Sequence, residues 1–200
     1  MPFSTYAADY QLQQWATNHG LYMSAHSAYS ASGANELTGG SYARVAVTWG
    51  APSGNVLSLS GTPYTINCPA SSTVAFIGFW DASTSGNFQG MSANAAGASP
   101  YAFAAPSSTG ILLAPGSAYA ANQTVVVFPT GGSTLPTGLT AGVVYYIKSP
   151  SSDSFQLSAT NGGSAITLSA DGAGYVQAVN VETFSGAGSL SVTSGSMTLI

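Results

Sequence analysis

The chain has 200 residues and a mass of 20.0 kDa, the size of one ordinary domain or two small ones, which excludes a long multidomain enzyme. Only 4% of the residues are charged, against roughly a quarter in an average soluble domain, and the net charge is −4 with no cluster of either sign, so we expect no nucleic-acid partner. The 31 Ser, 19 Thr and 24 Gly, with 45% hydrophobic residues, predict a folded chain whose low-charge surface is covered by copies of itself or by a larger scaffold.

One segment has helical periodicity. Apolar side chains recur at three- and four-residue spacing from about Ser4 to Asn18. Ser4 or Thr5 can serve as the N-cap, and Gly20 stands where a helix would end. The polar face holds Gln, Asn and Asp but no Lys or Arg, which favours packing against a sheet over binding to a membrane. The sequence also shows no signal peptide and no long apolar span, so we expect synthesis in a cytoplasm without membrane insertion.

Residues 21–121 read as short strands separated by turns. The segment SYARVAVTW, residues 41–49, is predicted to be a strand. One face carries Ala43, Val45, Val47 and Trp49 and is predicted to point inward; the other face carries Tyr42, Arg44, Ala46 and Thr48. TVAFIGFW, residues 73–80, is apolar on both faces, which is typical of a central strand. Weaker strands are predicted at 21–27, 56–60, 87–93 and 197–200. In the last of these we expect Met197 and Leu199 to face the core of the first domain and Ile200 to point to the opposite face.

Residues 122–182 have the texture of a compact meander. Five strands are predicted there, in QTVVVF, GVVYYIK, SFQLSA, SAITLS and GYVQAVNV. We therefore predict a mainly β fold, with a β-sandwich-like domain that carries one N-terminal helix and an inserted small antiparallel β module. The first domain is assigned residues 1–121 and 183–200, and the insert residues 122–182. Within the first domain, residues 93–121, rich in Ala, Ser, Pro and Gly, are predicted to be the connector to the insert.

The residue types that catalysis needs are sparse. The histidines are His19 and His26, the six carboxylates are scattered, and no nucleophile elbow, phosphate loop or calcium loop is present. Cys68 has no second thiol, so it forms neither an internal disulfide nor a zinc-type spacing. We expect a protein that is not an enzyme, with no catalytic residue, no cofactor and no metal site.

Arg44 is the charged residue that the sequence singles out. It lies in a strand beside Tyr42, on a nearly uncharged chain, and an Arg at such a position is expected to bond carbonyls or a carboxylate such as Glu36 or Asp81. Together with Trp80, these residues are the candidates for a structural ion pair or a subunit contact.

The aromatic residues raise an alternative role. Aromatic rings can stack on sugars, and Tyr101 and Tyr119 fall in loop-like stretches where an exposed contact is expected. The three tryptophans fall on predicted buried faces instead.

Two stretches carry a family resemblance. Glu36–Gly54 contains GGSYAR and Thr73–Gly90 contains GFWDA, and both resemble a family of small phage and prophage proteins of the tail-fibre or virion structural type. A third stretch, Leu135–Gly174, starts LPTGL, continues with Tyr-Tyr and FQLSA, and is similar to a small β module of phage tail proteins. In shorter relatives the first two stretches lead directly into the terminal strand, which implies that the module is an insert here.

The resemblance implies a virion structural protein of a tailed bacteriophage, displayed on the particle surface. The leading expectation is a minor tail or tail-fibre component, bound to copies of itself and to other virion proteins. A capsid decoration protein that stabilises the capsid lattice is the alternative within that class. A module that binds a glycan of the host envelope is the alternative of another class.

Overall fold

A computed structural model describes residues 4–95, 100–106 and 109–199. Within them the fold is mainly β with one helix and several antiparallel sheets, so the predicted fold class is confirmed. No helix in these ranges is both long enough and apolar enough to cross a membrane. The chain forms two compact units, Met1–Ser92 with Glu182–Ile200 (unit 1) and Ala93–Val181 (unit 2).

Seventeen strands are present in the described residues. The first eight are β1 Tyr22–His26, β2 Val45–Ala46, β3 Thr48–Trp49, β4 Val56–Ser60, β5 Tyr64–Cys68, β6 Ser72–Val74, β7 Phe76–Trp80 and β8 Phe88–Ala93. The next six are β9 Tyr101–Ala105, β10 Leu112–Leu113, β11 Thr124–Pro129, β12 Val144–Lys148, β13 Ser154–Ser158 and β14 Gly172–Ala178. The last three are β15 Glu182–Phe184, β16 Gly188–Val192 and β17 Ser196–Thr198.

The helix, α1, spans Thr5–Asn18 and begins where the side chain of Ser4 accepts a hydrogen bond from the backbone N–H of Ala7. Its buried residues are Ala8, Leu12 and Ala16, which recur at a spacing of four. They form one face, and that face packs on Leu57 of β4.

Unit 1 is built from four small sheets. The largest has the strand order β2-β1-β7-β8, and β17-β4-β3 forms a second. The strands β15 and β6 form a third sheet, and β16 and β5 form a fourth. Residues of the last three strands thus pair with strands more than a hundred positions earlier in the chain.

The strand predicted at 41–49 is divided between two of these sheets. β2 pairs with β1, whereas β3 pairs with β4, and Val47 between them bonds the carbonyl of Leu21 through its N–H. Val47 is buried, but Ala43 is exposed, so the predicted inward face is shorter than expected. Ala43 lies before β2, in residues that form no strand, so the inward face is confined to Val45, Val47 and Trp49.

Among the described residues, two apolar clusters stabilise unit 1. The larger joins buried side chains of β1, β5, β6, β7 and β16 with Leu37 and Val47; its strand members are Met23, Ala25, Ile66, Cys68, Val74, Ile77 and Leu190. The smaller lies under α1, where Met197 and Leu199 pack against Leu12 and Leu57, as predicted for the terminal strand. Ile200, predicted to face the other way, lies outside the described residues.

Unit 2 is a closed barrel with the strand order β10-β13-β12-β11-β14-β9. Its interior is filled by large buried side chains that include Phe103, Leu112, Phe155, Leu157 and Val176. Four of the five strands predicted at 122–182 are present. The fifth prediction, SAITLS, is wrong, since within it only a single bridge joins Ala165 to Ser158.

The remaining two barrel strands, β9 and β10, come from residues 101–113, which the sequence assigns to the first domain as a connector. In the structure they close the barrel, because β9 pairs with both β14 and β10. The compact units and the predicted domains therefore divide the chain at different positions.

Candidate functional site

The candidate site centres on a partly buried ion pair in unit 1. Nε of Arg44 donates to Oε1 of Glu36 at 2.9 Å, and a terminal nitrogen of Arg44 donates to Oε2 at 2.8 Å. The side chains are 10% and 18% exposed. β1 and the segment before β2 position the pair, since Glu36 forms a bridge with His26 and Arg44 directly precedes β2. Two parallel bonds of this kind are the strongest arrangement that an Arg and a carboxylate can form.

Arg44 also fixes the loop that joins β7 to β8. Its other terminal nitrogen donates to the carbonyls of Ala82 at 3.1 Å and Ser85 at 2.6 Å. Its guanidinium carbon lies 3.5 Å from the centroid of the Trp80 ring, a cation–π contact in a largely desolvated setting. All three guanidinium nitrogens of Arg44 thereby have partners within the chain.

Tyr42 completes the ion-pair cluster. Its hydroxyl donates to Oε1 of Glu36 at 2.9 Å and accepts a hydrogen bond from the N–H of Ala25 at 3.1 Å. Burial raises the pKa of the Tyr42 hydroxyl well above its ordinary value. The structure therefore brings together four of the five candidates, namely Glu36, Tyr42, Arg44 and Trp80.

Asp81 plays a different part. Its carboxylate accepts hydrogen bonds from the side chain and the backbone N–H of Asn87, each at 2.7 Å, and these bonds lower the pKa of Asp81. It thus closes the turn between β7 and β8 and is not a carboxylate partner of Arg44. The same loop is fixed from both sides, by Asp81 and by Arg44.

A buried hydrogen-bond chain lies beside this cluster, and the sequence analysis did not find it. Nε1 of Trp80 donates to Oγ of Ser24 at 2.9 Å, Oγ of Ser24 lies 2.7 Å from Nε2 of His26, and Nδ1 of His26 lies 2.9 Å from the carbonyl of Ala34. A carbonyl only accepts, so Nδ1 carries the proton and Ser24 donates to Nε2. Burial lowers the pKa of His26, which favours this neutral form.

The hydrogen-bond chain from Trp80 to His26 requires a glycine at position 78, opposite Ser24. Ser24 pairs with Gly78 across β1 and β7, and a Cβ at Gly78 would lie 2.5 Å from Nε2 of His26 and 2.6 Å from Oγ of Ser24. The signal that could have found the site is Ser24 and His26 at a spacing of two on a strand, with Gly78 two positions before Trp80. That signal is visible only once the register is known.

The hydrogen bond between Ser24 and His26 is a structural contact inside the protein. Both residues are 0% exposed, and His26 is oriented by a backbone carbonyl and not by a carboxylate. A hydrolytic Ser–His site needs a hydroxyl that a substrate can reach, with a third group that stabilises the imidazolium. The open groove nearby is lined by Glu36, Leu37 and Ser and Thr residues of the loops around it, and Glu36 itself is already paired with Arg44.

The two tyrosines predicted as exposed contacts lie in unit 2. Tyr119 is buried instead, because its ring stacks edge-on against Phe155 and its hydroxyl donates to the carbonyl of Val176 at 3.2 Å. Burial raises the pKa of Tyr119 well above its ordinary value. Tyr101 is half-buried against Tyr119, with ring centroids 5.6 Å apart. Both rings therefore pack with side chains of the barrel core.

Other titratable groups have local partners as well. Asp153 accepts a hydrogen bond from the N–H of Gly116, which lowers the pKa of Asp153, and Nζ of Lys148 donates to the carbonyl of Gly163 at 2.9 Å. Cys68 is a buried free thiol whose pKa burial raises. In residues 4–95, 100–106 and 109–199, no group of three or more His, Cys, Asp or Glu side chains is placed to hold a metal ion.

Comparison with known proteins gives one finding. No curated protein sequence and no solved structure matches the chain. Residues 9–101 match the family described as podophage GP4 fiber I protein gp80, which is fewer than half of the 200 residues. The stretch at 135–174 lies outside this match. Over residues 9–101 the chain is similar to a phage fibre protein, and the match supports a virion-associated structural protein of the phage tail-fibre type.

Proposed function

We propose that this chain is a non-enzymatic component of the tail of a bacteriophage, either a tail-fibre or a minor tail protein, displayed on the surface of the particle. The observation that carries the proposal is the match of residues 9–101 to a fibre protein family. Its partners are copies of itself and other virion proteins.

The use of polar groups within the chain supports this proposal. The ion pair of Arg44 and Glu36, the hydroxyl of Tyr42 and the chain from Trp80 to His26 are committed to intramolecular bonds. Such groups order loops and sheets, and they are not left free to act on a substrate. A role through surface contact fits this arrangement better than a role through chemistry.

The test is the location and copy number of the chain in purified virions. Quantitative mass spectrometry counts the copies, and gold-labelled antibodies place them by electron microscopy. A small number of copies on the tail supports the proposal. Hundreds of copies spread over the head would replace it with capsid decoration, and absence from the particle would reject a virion role.

A further inference from the structure

The open groove of unit 1, beside the ion pair of Arg44 and Glu36, has a volume of about 420 Å³, which falls within the roughly 300–1,000 Å³ of small-molecule sites. It is lined by Ser27 and by residues 36–38 and 69–73, and we call it the hydroxyl groove. The N–H of Leu37 donates to the carbonyl of Ala25, and the N–H of Ala75 donates to the carbonyl of His26, each at 2.9 Å. Both lining segments are therefore held at the end of β1.

Three hydroxyl groups in the groove are free to bind. The hydroxyls of Thr38, Ser71 and Thr73 have no hydrogen-bond partner among the described residues. The hydroxyl of Ser72 differs, because it donates to the carbonyl of Pro69 at 2.6 Å and so holds the loop before β6. A hydroxyl can both donate and accept, so three of them in one groove suit a ligand that is itself rich in hydroxyls.

Glu36 adds a fixed acceptor to the same groove. A carboxylate offers about four acceptor positions. Three of those of Glu36 are filled, by Nε and one terminal nitrogen of Arg44 and by the hydroxyl of Tyr42. The side chain of Glu36 is still 18% exposed. The carboxylate can therefore accept one more hydrogen bond, in an orientation that its two partner residues hold in place.

The charge balance of the groove favours an uncharged ligand. Glu36 is the one charged residue among the described residues that line it, and the guanidinium of Arg44 lies 2.8 Å from its carboxylate. A cation would therefore meet Arg44 as well as Glu36, and an anion would meet the carboxylate. A neutral ligand that exchanges hydrogen bonds avoids both repulsions.

We propose that the hydroxyl groove binds a neutral saccharide. The sugar hydroxyls bond the carboxylate of Glu36 and the three free hydroxyls, while Leu37 and Pro69 pack against its C–H groups. The walls are already held by bonds within the chain, so little ordering is needed on binding. The inference goes beyond the proposed function and rests on it in one respect, namely that display on the particle surface brings the groove to a saccharide.

The composition of the walls sets the strength of binding. No aromatic ring lines the groove in the part of the chain that the structure describes, so the stacking that gives many sugar sites their area is missing. We therefore expect a dissociation constant for one sugar unit in roughly the millimolar range. Several copies on one particle would raise the affinity for a polysaccharide through multivalency.

The first experiment is saturation-transfer NMR of the full chain with four neutral sugars, namely D-glucose, D-galactose, N-acetyl-D-glucosamine and L-rhamnose. The cation D-glucosamine and the anion D-glucuronate are the charged analogues of D-glucose. We expect at least one neutral sugar to bind, and to bind more tightly than both charged analogues. Absence of binding by all four neutral sugars, or tighter binding of a charged analogue, overturns the proposal.

The second experiment locates the binding. Thr38→Val combined with Thr73→Val removes two free hydroxyls at nearly constant shape, and we expect it to raise the dissociation constant at least about threefold. Thr193→Val is the matched control, because Thr193 is exposed and lies outside the groove, and it should bind like the wild type. Equal effects of the double variant and the control would overturn the proposal.

A third comparison covers the case in which the double variant alters folding. Ala70→Trp places a large ring in the groove and should abolish binding, whereas Ala187→Trp, at an exposed position outside the groove, should not. Binding that survives Ala70→Trp would overturn the proposal. Since these measurements use the isolated chain, absence of the chain from virions would reject the proposed function alone.

Discussion

At the scale of single residues, the fold concentrates its few charges where they hold loops. Arg44 joins Glu36, the carbonyls of the loop after β7 and the ring of Trp80. On a chain with 4% charged residues, a single guanidinium therefore anchors three separate segments. Loss of either partner leaves the other charge poorly solvated and without its counterion.

Glu36→Gln tests this anchor. The substitution keeps the shape of the side chain but removes the charge that balances Arg44, so we expect unfolding to become easier by about 3 kcal/mol. Urea denaturation followed by tryptophan fluorescence measures the change. Glu182→Gln is the control, because Glu182 is exposed on β15, and its effect should stay within about 0.5 kcal/mol. Equal effects of the two substitutions would show that the ion pair does not stabilise the fold.

The buried His26 predicts a pH dependence. Burial lowers the pKa of His26 in the folded chain below 6.5, so the unfolded chain binds more protons as the pH falls. The stabilising contribution is then complete above pH 6.5 and is lost below it. Glu36 and Arg44 face this ring with opposite effects on its pKa, but burial is the largest cause.

The measurement is the free energy of unfolding from urea titrations at pH 7.5, 6.5 and 5.5. We expect a decrease towards pH 5.5 in the wild type and a flatter profile in His26→Gln. NMR of the imidazole ring should show His26 neutral at pH 6.5. A ring that is protonated there, in a chain that is still folded, would contradict the assignment of the hydrogen-bond chain.

At the scale of elements, the two faces of strand β7 pack against different groups. Its apolar side chains pack into the main cluster of unit 1, whereas Gly78 leaves room for Ser24 and His26. A glycine inside a strand normally weakens it, so a close neighbour is the physical reason for its presence.

Gly78→Ala should therefore be destabilising although alanine is small. The added methyl group would lie within 2.6 Å of two buried polar atoms, and such overpacking costs about 1–3 kcal/mol. Thermal melting by circular dichroism measures the loss. Gly186→Ala is the matched control, because no atom lies within 4 Å of the added Cβ, and we expect little change. A neutral Gly78→Ala would mean that β1 shifts freely against β7.

The sequence predicts elements well where alternation and turn residues agree. The helix, β4 and the central apolar strand follow from these signals. β9 is missed because YAFAA lies in a stretch rich in Ala, Ser, Pro and Gly, and β16 because GSLSV is itself rich in Gly and Ser; both become strands through pairing with distant segments. SAITLS has a strand pattern, but β9 and β10 close the barrel and leave it no edge to join.

The candidate site is predictable only in part for a similar reason. The residue types narrow the partners of Arg44 to Glu36 or Asp81, and the structure selects Glu36 because Asn87 occupies Asp81. The prediction that Tyr119 is exposed is wrong. The residues around Tyr119 are rich in Ala and Ser and give no pattern that indicates a buried strand, although the ring packs in the barrel core. Which side chains meet across strands depends on register, which local sequence does not determine.

At the scale of the whole molecule, unit 2 begins and ends at one place. The N–H of Asn180 donates to the carbonyl of Asn94, and the side chain of Asn94 donates to the carbonyl of Asn180. The segments that enter and leave the barrel are therefore adjacent. Unit 1, in turn, depends on strands from both sides of this insert, since β16 pairs with β5 and β17 with β4.

Two shortened proteins test this organisation. Replacing residues 93–181 by about six Gly and Ser residues, which reach about 20 Å, should leave unit 1 folded, because a short connection changes the closure entropy little. Removing residues 186–200 should unfold unit 1, since it exposes two paired sheets and the cluster under α1. Circular dichroism and thermal melting measure both. The reverse result, a folded truncation and an unfolded deletion, would reject the discontinuous arrangement.

The pairing of β17 with β4 also sets an order of events during synthesis. Met197 lies opposite Leu57, so 140 residues must be added before β17, the second partner of β4, exists, which at 5–20 residues per second takes roughly 7–28 s. Every strand of the barrel has been made by residue 178. While the barrel strands are being made, β4 therefore has one unpaired edge and β5 lacks its partner β16, which makes the nascent first unit the part most exposed to aggregation and to chaperones.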